Sequence, residues 1–375
     1  MIPFNKPYLT GKETKYIEAA VASGKISGNG AFTQKCQKFF EDTYGFTKVL
    51  LTTSCTDALE MCAILANIKR GDEVIIPSYT FVSTALPFVR EGAKIVFADS
   101  YADNPNIDAD KIEDLITSRT KAIVVVHYAG VACDMERIMS IAKKHQLLVI
   151  EDAAQAIDSY YTFSNGEKKA LGSIGQLGAF SFHETKNIIS GEGGMLTIND
   201  EKYVERAEII WEKGTNRTQF FRGEINKYGW VDTGSSFLPS EIISAFLWAQ
   251  LENLEIIQKK RLQIWTAYYN DLKDNVHFTI PELPKYATNN AHMFYIVFKS
   301  LEDRSAMITK LKDESILAVF HYLSLHKSEF YHAKHDDRAL ENSDRFEDCL
   351  LRLPFFFELT DDQQQKVIKI LNNPI

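Results

Sequence analysis

Between residues 49 and 152 the chain alternates short, unbroken apolar runs with amphipathic stretches, and few folds accept that pattern. The runs are Val49-Leu-Leu51, Val74-Ile-Ile76, Lys94-Ile-Val-Phe97, Ala122-Ile-Val-Val-Val126 and Leu147-Leu-Val-Ile150. Such short runs, with no polar alternation, read as strands buried on both faces. The stretches between them space apolar residues as helices do. Leu59, Cys62, Ala63 and Ala66 share one face, and Met135, Ile138, Met139 and Ala142 share another after Asp134 as the cap. Residues 32–44 add a helix with Phe32, Cys36, Phe39 and Phe40 on one side. The alternation predicts an α/β fold, a parallel sheet with helices on both faces. Ligands of such sheets sit at the carboxyl ends of the strands. Asp99, His127 and Asp152 each follow a predicted strand.

The second half reads differently. Residues 201–213 predict a helix, and 214–236 a polar loop carrying Arg217, Arg222, Lys227, Tyr228 and Trp230. A loop of that length is functional or lies at an interface. One long helix is expected from about 239 to 272, and Pro281 and Pro284 then break the pattern. After 285 a strand at 292–298, a helix near 303–313 and a strand at 318–322 follow, and Thr360-Asp-Asp-Gln363 reads as a capping box for a last helix. The charged stretch 332–347 reads as a solvated loop and helix face. The expected division is a large domain, 1–250, and a smaller C-terminal α/β domain, 251–375, which includes the long helix. With 375 residues, 45% of them hydrophobic, the chain can bury such cores without staples.

Charge and cysteine usage exclude several classes of function. A net charge of −8 argues against nucleic acid or an anionic membrane as partner. No apolar run approaches the ~18 residues of a membrane span. Cys36, Cys55, Cys62, Cys133 and Cys349 are scattered and form no Cys-x-x-Cys pair, so neither a metal site nor a disulfide framework is expected. Free thiols and the lack of a signal-like start predict a soluble cytoplasmic protein.

One stretch carries chemistry. In Ala179-Phe-Ser-Phe-His-Glu-Thr-Lys186 a lysine follows an apolar run, and Gly191, Gly193 and Gly194 follow the lysine. Lys186 is either a surface charge beside a flexible turn or a Schiff-base lysine carrying pyridoxal phosphate. Three other features fit the second reading. Thr53-Ser-Cys-Thr56 opens a helix and makes either an ordinary N-cap or an anion site. Asp152, in Glu151-Asp-Ala-Ala-Gln155, either caps the next helix or pairs with the pyridine nitrogen of the cofactor. Phe81 is either a core residue or a face for a flat ring. Taken together they are a phosphate cradle, a ring stacker, a ring-nitrogen acid and an amine.

With these motifs the chain resembles the DegT/DnrJ/EryC1/StrS sugar aminotransferases. The matching stretches are Gly28-Asn-Gly30, Ser54-Cys-Thr56, Gly71-Asp-Glu-Val-Ile-Ile-Pro77, Tyr79-Thr-Phe81, Glu151-Asp-Ala-Ala-Gln155, Ser181-Phe-His-Glu-Thr-Lys186 and Gly191-Glu-Gly-Gly194. The resemblance implies a type I pyridoxal-phosphate transferase fold, of aspartate-aminotransferase type, with a large central mixed-sheet domain. It implies that Lys186 bonds the cofactor, Asp152 meets the ring nitrogen, and Gln155 lies near the ring hydroxyl. Phe81 would stack on the ring, with Cys55 and Thr56 binding phosphate through backbone amides and Ser181 through its hydroxyl. It also implies a homodimer with active sites at the interface. Ser236, in Gly234-Ser-Ser236, stands where relatives place an asparagine that reaches the partner's phosphate.

His127-Tyr-Ala-Gly-Val-Ala-Cys133, His183-Glu-Thr-Lys-Asn187, Glu212-Lys-Gly-Thr-Asn-Arg217, Gln219-Phe-Phe-Arg-Gly223 and Ala291-His-Met-Phe-Tyr295 resemble members that aminate a dTDP-linked 4-keto-6-deoxy sugar from L-glutamate. On that reading His183, Arg217, Arg222, Lys227, Tyr228, His321 and Tyr322 are candidates for substrate contact. Related dehydratases have histidine in place of the lysine, so Lys186 argues against their activity. The alternatives are a relative acting on a 3-keto sugar or giving the other epimer, and a cofactor-binding regulator without turnover. Residues 160–170 are longer than the usual hairpin there.

Overall fold

A computed structural model describes residues 1–373. Its centre is a seven-stranded sheet. In chain order the strands are β1 (Lys48–Thr52), β2 (Glu73–Pro77), β3 (Lys94–Ala98), β4 (Thr120–Val126) and β5 (Leu148–Asp152). A short hairpin follows, β6 (Tyr160–Thr162) and β7 (Lys168–Ala170), and then β8 (Leu177–Ser181) and β9 (Gly194–Ile198). The sheet order is β1-β9-β8-β5-β4-β2-β3. From β8 to β3 all pairs are parallel, as the unbroken apolar runs predict. The sheet is mixed because β9 runs antiparallel to both its neighbours.

That reversal positions the site. In the registers of β9, Gly194 lies between Thr52 and Ser181. The start of β9 therefore sits at the carboxyl ends of β1 and β8. Asp152, which closes β5, pairs with Ala179 two residues from the end of β8. One edge of the sheet thus collects the turn after β1, the end of β8 and the end of β5.

Side chains alternate between two cores. Val49 and Leu51 pack on one face with Phe40, Phe182 and Ile138, and Leu50 packs on the other with Leu59, Leu196 and Trp211. The edge strand β1 is covered rather than left open. The N–H groups of Val49 and Leu51 donate to Glu41 and Gln37 of helix Ala31–Tyr44, and the Trp211 indole donates to the Leu51 carbonyl at 2.7 Å. Gly30 precedes that helix because the buried Glu241 carboxylate lies against it: a Cβ on Gly30 would fall 2.6 Å from the carboxyl carbon. Glu241 accepts from the N–H groups of Gly30, Phe32 and Thr33, an anion at a helix start.

A second layer holds β10 (Phe278–Thr279), β11 (Tyr295–Phe298) and β12 (Leu350–Arg352), antiparallel in that order. Ile264, Trp265, Tyr268, Leu311, Val367 and Ile368 pack around them, and so does Ile2, which bridges to Ile316. The chain's first residues are therefore part of this layer. The capping box at Thr360 forms with Gln363.

Four expected elements differ, and one is the loop of 214–236, which holds a short helix, Arg217–Phe221. The helix of 239–272 is two helices, Glu241–Leu251 and Leu254–Leu272. The break falls where the Glu252 carboxylate turns out to Lys12, Tyr16 and Trp248, and the Asn253 side chain donates to the Ala249 carbonyl. Residues 318–322 are extended but form no strand. Only Val319 pairs, through two backbone bonds with Arg352. The charged stretch 332–347 is not all solvated, since Leu340 and Ser343 are buried. The hairpin β6–β7 packs through Tyr161 onto Phe163 and Tyr286.

Candidate active site

The shared sheet edge opens into a cavity of about 740 Å³. Its lining includes Ser54, Cys55, Thr56, Phe81, Asp152, Gln155, Ser181, His183, Lys186, His321 and Tyr322. Lys186 stands in a loop closed by backbone bonds: Phe182 N–H to Gly193 C=O, Glu184 N–H to Gly191 C=O, and Lys186 N–H to His183 C=O. Gly191 turns this loop at φ +81°, where a side chain is strained. On one side of the lysine Glu184 and Thr185 are exposed, and on the other Asn187, Ile188 and Ile189 are buried. Burial lowers the lysine's pKa, against the opposing pull of Asp152. A larger share of the amine is then neutral than on a surface lysine.

Asp152 is 5% exposed. Burial raises its pKa, while two hydrogen bonds hold the charged form: Thr84 Oγ1 donates at 2.7 Å and Ala154 N–H at 3.2 Å. Thr84 is itself bonded to Thr80 at 2.8 Å. The aspartate does not cap a helix. It is a carboxylate held at the cavity wall.

The helix Cys55–Leu65 begins at this wall. Its cap, the Ser54 hydroxyl, accepts from Asp57 N–H at 3.0 Å. The N–H groups of Cys55 and Thr56 are among those a helix start leaves without internal partners. The Cys55 thiol is pushed well up by burial and stays protonated, so its backbone is what it offers to an anion. Gly194 closes the cradle. A Cβ there would stand 2.5 Å from the Cys55 nitrogen. Phe81 is 55% exposed and so is no core residue, and its ring lies 6.1 Å from that of Tyr322. Gln155 accepts from Ala129 N–H and donates to the Tyr322 hydroxyl at 2.8 Å.

The remaining candidates divide. His321 lines the cavity, stacked on Tyr322 at 3.5 Å and bonded to the Tyr128 hydroxyl at 2.7 Å, and burial keeps it neutral. His183 is partly exposed and turned to Thr185. Ser236, Arg217, Arg222, Lys227 and Tyr228 lie outside the cavity of this chain. Arg217 pairs with Glu212, Arg222 with Glu208 and Glu224, and Ser236 bridges to Glu212. Tyr228 packs on Phe220, and Lys227 is exposed. Asp99 and His127 also end elsewhere. Asp99 accepts from Asn342 and Ser343, tying β3 to the helix Glu341–Cys349. His127 is buried against Glu151 at 2.9 Å.

Sequence reading misses three groups. His292 lines the cavity. The Asn187 amide donates to Gln258 and to the Asn290 carbonyl, so its oxygen accepts from His292 Nδ1–H. Burial keeps this histidine neutral too. Thr84 supports Asp152 from a 3-10 turn only three residues after Phe81. Arg352 enters the cavity from β12. No contiguous motif joins His292 or Arg352 to the lysine stretch; only the topology does. Among the described residues no group of histidine, cysteine and carboxylates could hold a metal ion.

These groups fit one cofactor. An amine, a hydrogen-bonded carboxylate, an open aromatic face and a helix start complement the aldehyde, ring nitrogen, ring and phosphate of pyridoxal phosphate. Comparison with known proteins agrees. Residues 7–372 match the model of the DegT/DnrJ/EryC1/StrS aminotransferase family. The spore coat polysaccharide biosynthesis protein SpsC of Bacillus subtilis is 31% identical, over 99% of this chain and 96% of that one. The GDP-perosamine synthase of Escherichia coli O157:H7 is 28% identical over 99% and 98%. Among solved structures, PseC of Helicobacter pylori, an aminotransferase of pseudoaminic acid biosynthesis, superposes with a TM-score of 0.89 at 26% identity, covering 98% of this chain and 97% of that one.

Proposed function

The chain belongs to the DegT/DnrJ/EryC1/StrS aminotransferase family, with pyridoxal phosphate as cofactor, and from that membership we propose that it transfers the amino group of L-glutamate to carbon 4 of dTDP-4-keto-6-deoxy-D-glucose. The products are dTDP-4-amino-4,6-dideoxy-D-galactose and 2-oxoglutarate, as in the transaminase of enterobacterial common antigen synthesis. The observation that carries the reading is Lys186 in one cavity with Asp152, Phe81 and the start of helix Cys55–Leu65. The choice of sugar rests on the five stretches that resemble that transaminase, two of which, His183–Asn187 and Ala291–Tyr295, reach the cavity through Lys186 and His292.

The cofactor supplies a carbonyl that takes up the amino group and a ring that accepts electrons from the reacting carbon. The protein does the rest. Lys186 bonds the cofactor and, once free, its Nζ carries the proton to or from the sugar carbon. The depressed pKa of that amine suits the task, because a neutral amine can take a proton. Asp152 holds positive charge at the ring nitrogen, steadied by Thr84 and Ala154. Phe81 covers one face of the ring. The N–H groups of Cys55 and Thr56, with the Ser181 hydroxyl, hold the phosphate. Gln155 and Tyr322 fix each other beside the ring.

We read the fold as the type I transferase fold, working as a homodimer. The exposed apolar cluster of Phe220, Phe221, Tyr228, Trp230 and Val231 suits a second copy, which would bring Arg217, Arg222, Lys227 and Ser236 to its neighbour's cavity. No helix among the described residues is long and apolar enough to cross a membrane.

A second reading comes from the similarity to GDP-perosamine synthase over nearly the whole chain, which brings a GDP-linked sugar into question. Incubation with L-glutamate and each keto sugar, followed by NMR of the product, decides. The proposal expects the axial 4-amine of the galactose configuration from the dTDP sugar. An equatorial amine, a 3-amino product or turnover of the GDP sugar alone would overturn it.

A further inference from the structure

Arg352 is the arginine of the cavity, and among the described residues no carboxylate neutralises it. Its backbone is fixed from both sides, by Tyr295 in the β11–β12 register and by two bonds to Val319. Its guanidinium lies 4.6 Å from the Phe4 ring, and one terminal nitrogen donates weakly to the Phe320 carbonyl at 3.4 Å. The buried Nε has no hydrogen-bond partner, and among the described residues no carboxylate pairs with this side chain. The other basic groups set out for substrate contact differ: Arg217 and Arg222 are already paired with glutamates. Holding a half-buried guanidinium, its Nε fully buried, without a counter-charge is costly, and a site retains one where a ligand brings the charge.

The position narrows the ligand. Arg352 lines the same cavity as Lys186, His292 and His321, and burial lowers its own pKa. The cofactor phosphate has its own cradle, at Cys55 and Thr56. An anion near the lysine amine, and apart from that cradle, belongs to whatever gives or takes the amino group. The keto sugar is uncharged around its reacting carbon, whereas an amino-acid donor carries a carboxylate one bond from its amino carbon. A planar guanidinium on a rigid strand is the natural partner of a carboxylate.

We propose that Arg352 binds a carboxylate of the amino donor, an inference that rests on the transaminase reading of this cavity. The neutral His321 and His292 beside it then leave Arg352 as the charge that selects an amino acid over an uncharged amine.

The test compares the holoenzyme with Arg352→Gln and Arg352→Lys, folding being checked by thermal melting. Calorimetry measures binding of glutarate, a dicarboxylate that cannot react. The two half-reactions, with L-glutamate and with the keto-sugar nucleotide, are followed separately by cofactor absorbance. Loss of a charged hydrogen-bonded pair predicts glutarate and L-glutamate binding weaker by ~10–150-fold in Arg352→Gln. Arg352→Lys should recover part of that, and the nucleotide-sugar half-reaction should stay within ~3-fold, a difference below 1 kcal/mol. Unchanged glutarate binding, or a loss confined to or equal in the nucleotide sugar, would overturn the proposal, the latter pointing to the diphosphate. A wild type that binds glutarate through Arg352 yet is not bleached by L-glutamate would count against the transaminase reading and leave the carboxylate site standing.

Discussion

At the scale of single residues the account turns on charge states set by burial. Lys186 and Asp152 are pushed in opposite directions, the amine down and the carboxyl up. Each change weakens the charged form, and each is opposed by local groups. For Asp152 the opposing group is the Thr84 hydroxyl, which bonds the ionised carboxylate. Removing it in Thr84→Val raises the carboxyl pKa further, so on acidification the group takes up its proton at a higher pH than in the wild type. Cofactor retained after gel filtration, followed against pH, should therefore fall at higher pH in the variant. An acid limb that stays in place or moves down would contradict the role of Thr84. For Lys186, borohydride reduction of the holoenzyme should fix the cofactor's mass on the peptide containing that residue, and Lys186→Ala should lose at least ~10²–10⁴-fold in turnover, the scale of a lost proton carrier. Cofactor mass on another lysine peptide would contradict the assignment.

At the scale of elements, the site exists because β9 runs against its neighbours and starts at Gly194, between Thr52 and Ser181. That glycine needs no special backbone angle; it needs the space, since a Cβ would press on the first turn of helix Cys55–Leu65. Gly194→Ala should cost about 1–3 kcal/mol of stability through overpacking and weaken phosphate binding together with it. Denaturant unfolding and cofactor titration measure both, and a neutral result in both would show that the helix start can shift. The elements that lead to Lys186 and Asp152 are legible in the sequence because apolar runs mark their strands, β5 closing at Asp152 and β8 ending at Ser181, five residues before Lys186. The capping box at Thr360 is legible because it is a local rule. The break at Glu252–Asn253 is not, because apolar spacing continues on both sides and the cause is a carboxylate drawn to Lys12 and Tyr16, far along the chain. His292 and Arg352 are hidden for the same reason: tertiary packing, not local pattern, brings them to the lysine.

At the scale of the whole molecule, the sheet edge, the C-terminal layer and the chain's first residues meet around one cavity, whose lining includes Phe4, Asn5 and Phe355. The exposed aromatic segment 220–231 is the part that a single chain leaves unexplained. Trp230 is 84% exposed, a large apolar surface for a lone molecule. Sedimentation should give twice the chain mass for the wild type, and Trp230→Glu should shift it toward the single chain and lower activity with it. A wild type that sediments as a single chain would remove the partner's residues from the site. The central claim, that this molecule is a working sugar aminotransferase, is tested most directly by the absorbance of the holoenzyme through one full cycle. L-glutamate should bleach a band near ~410–430 nm, and the 4-keto sugar nucleotide should restore it. A bound chromophore that no amino donor bleaches would contradict the claim.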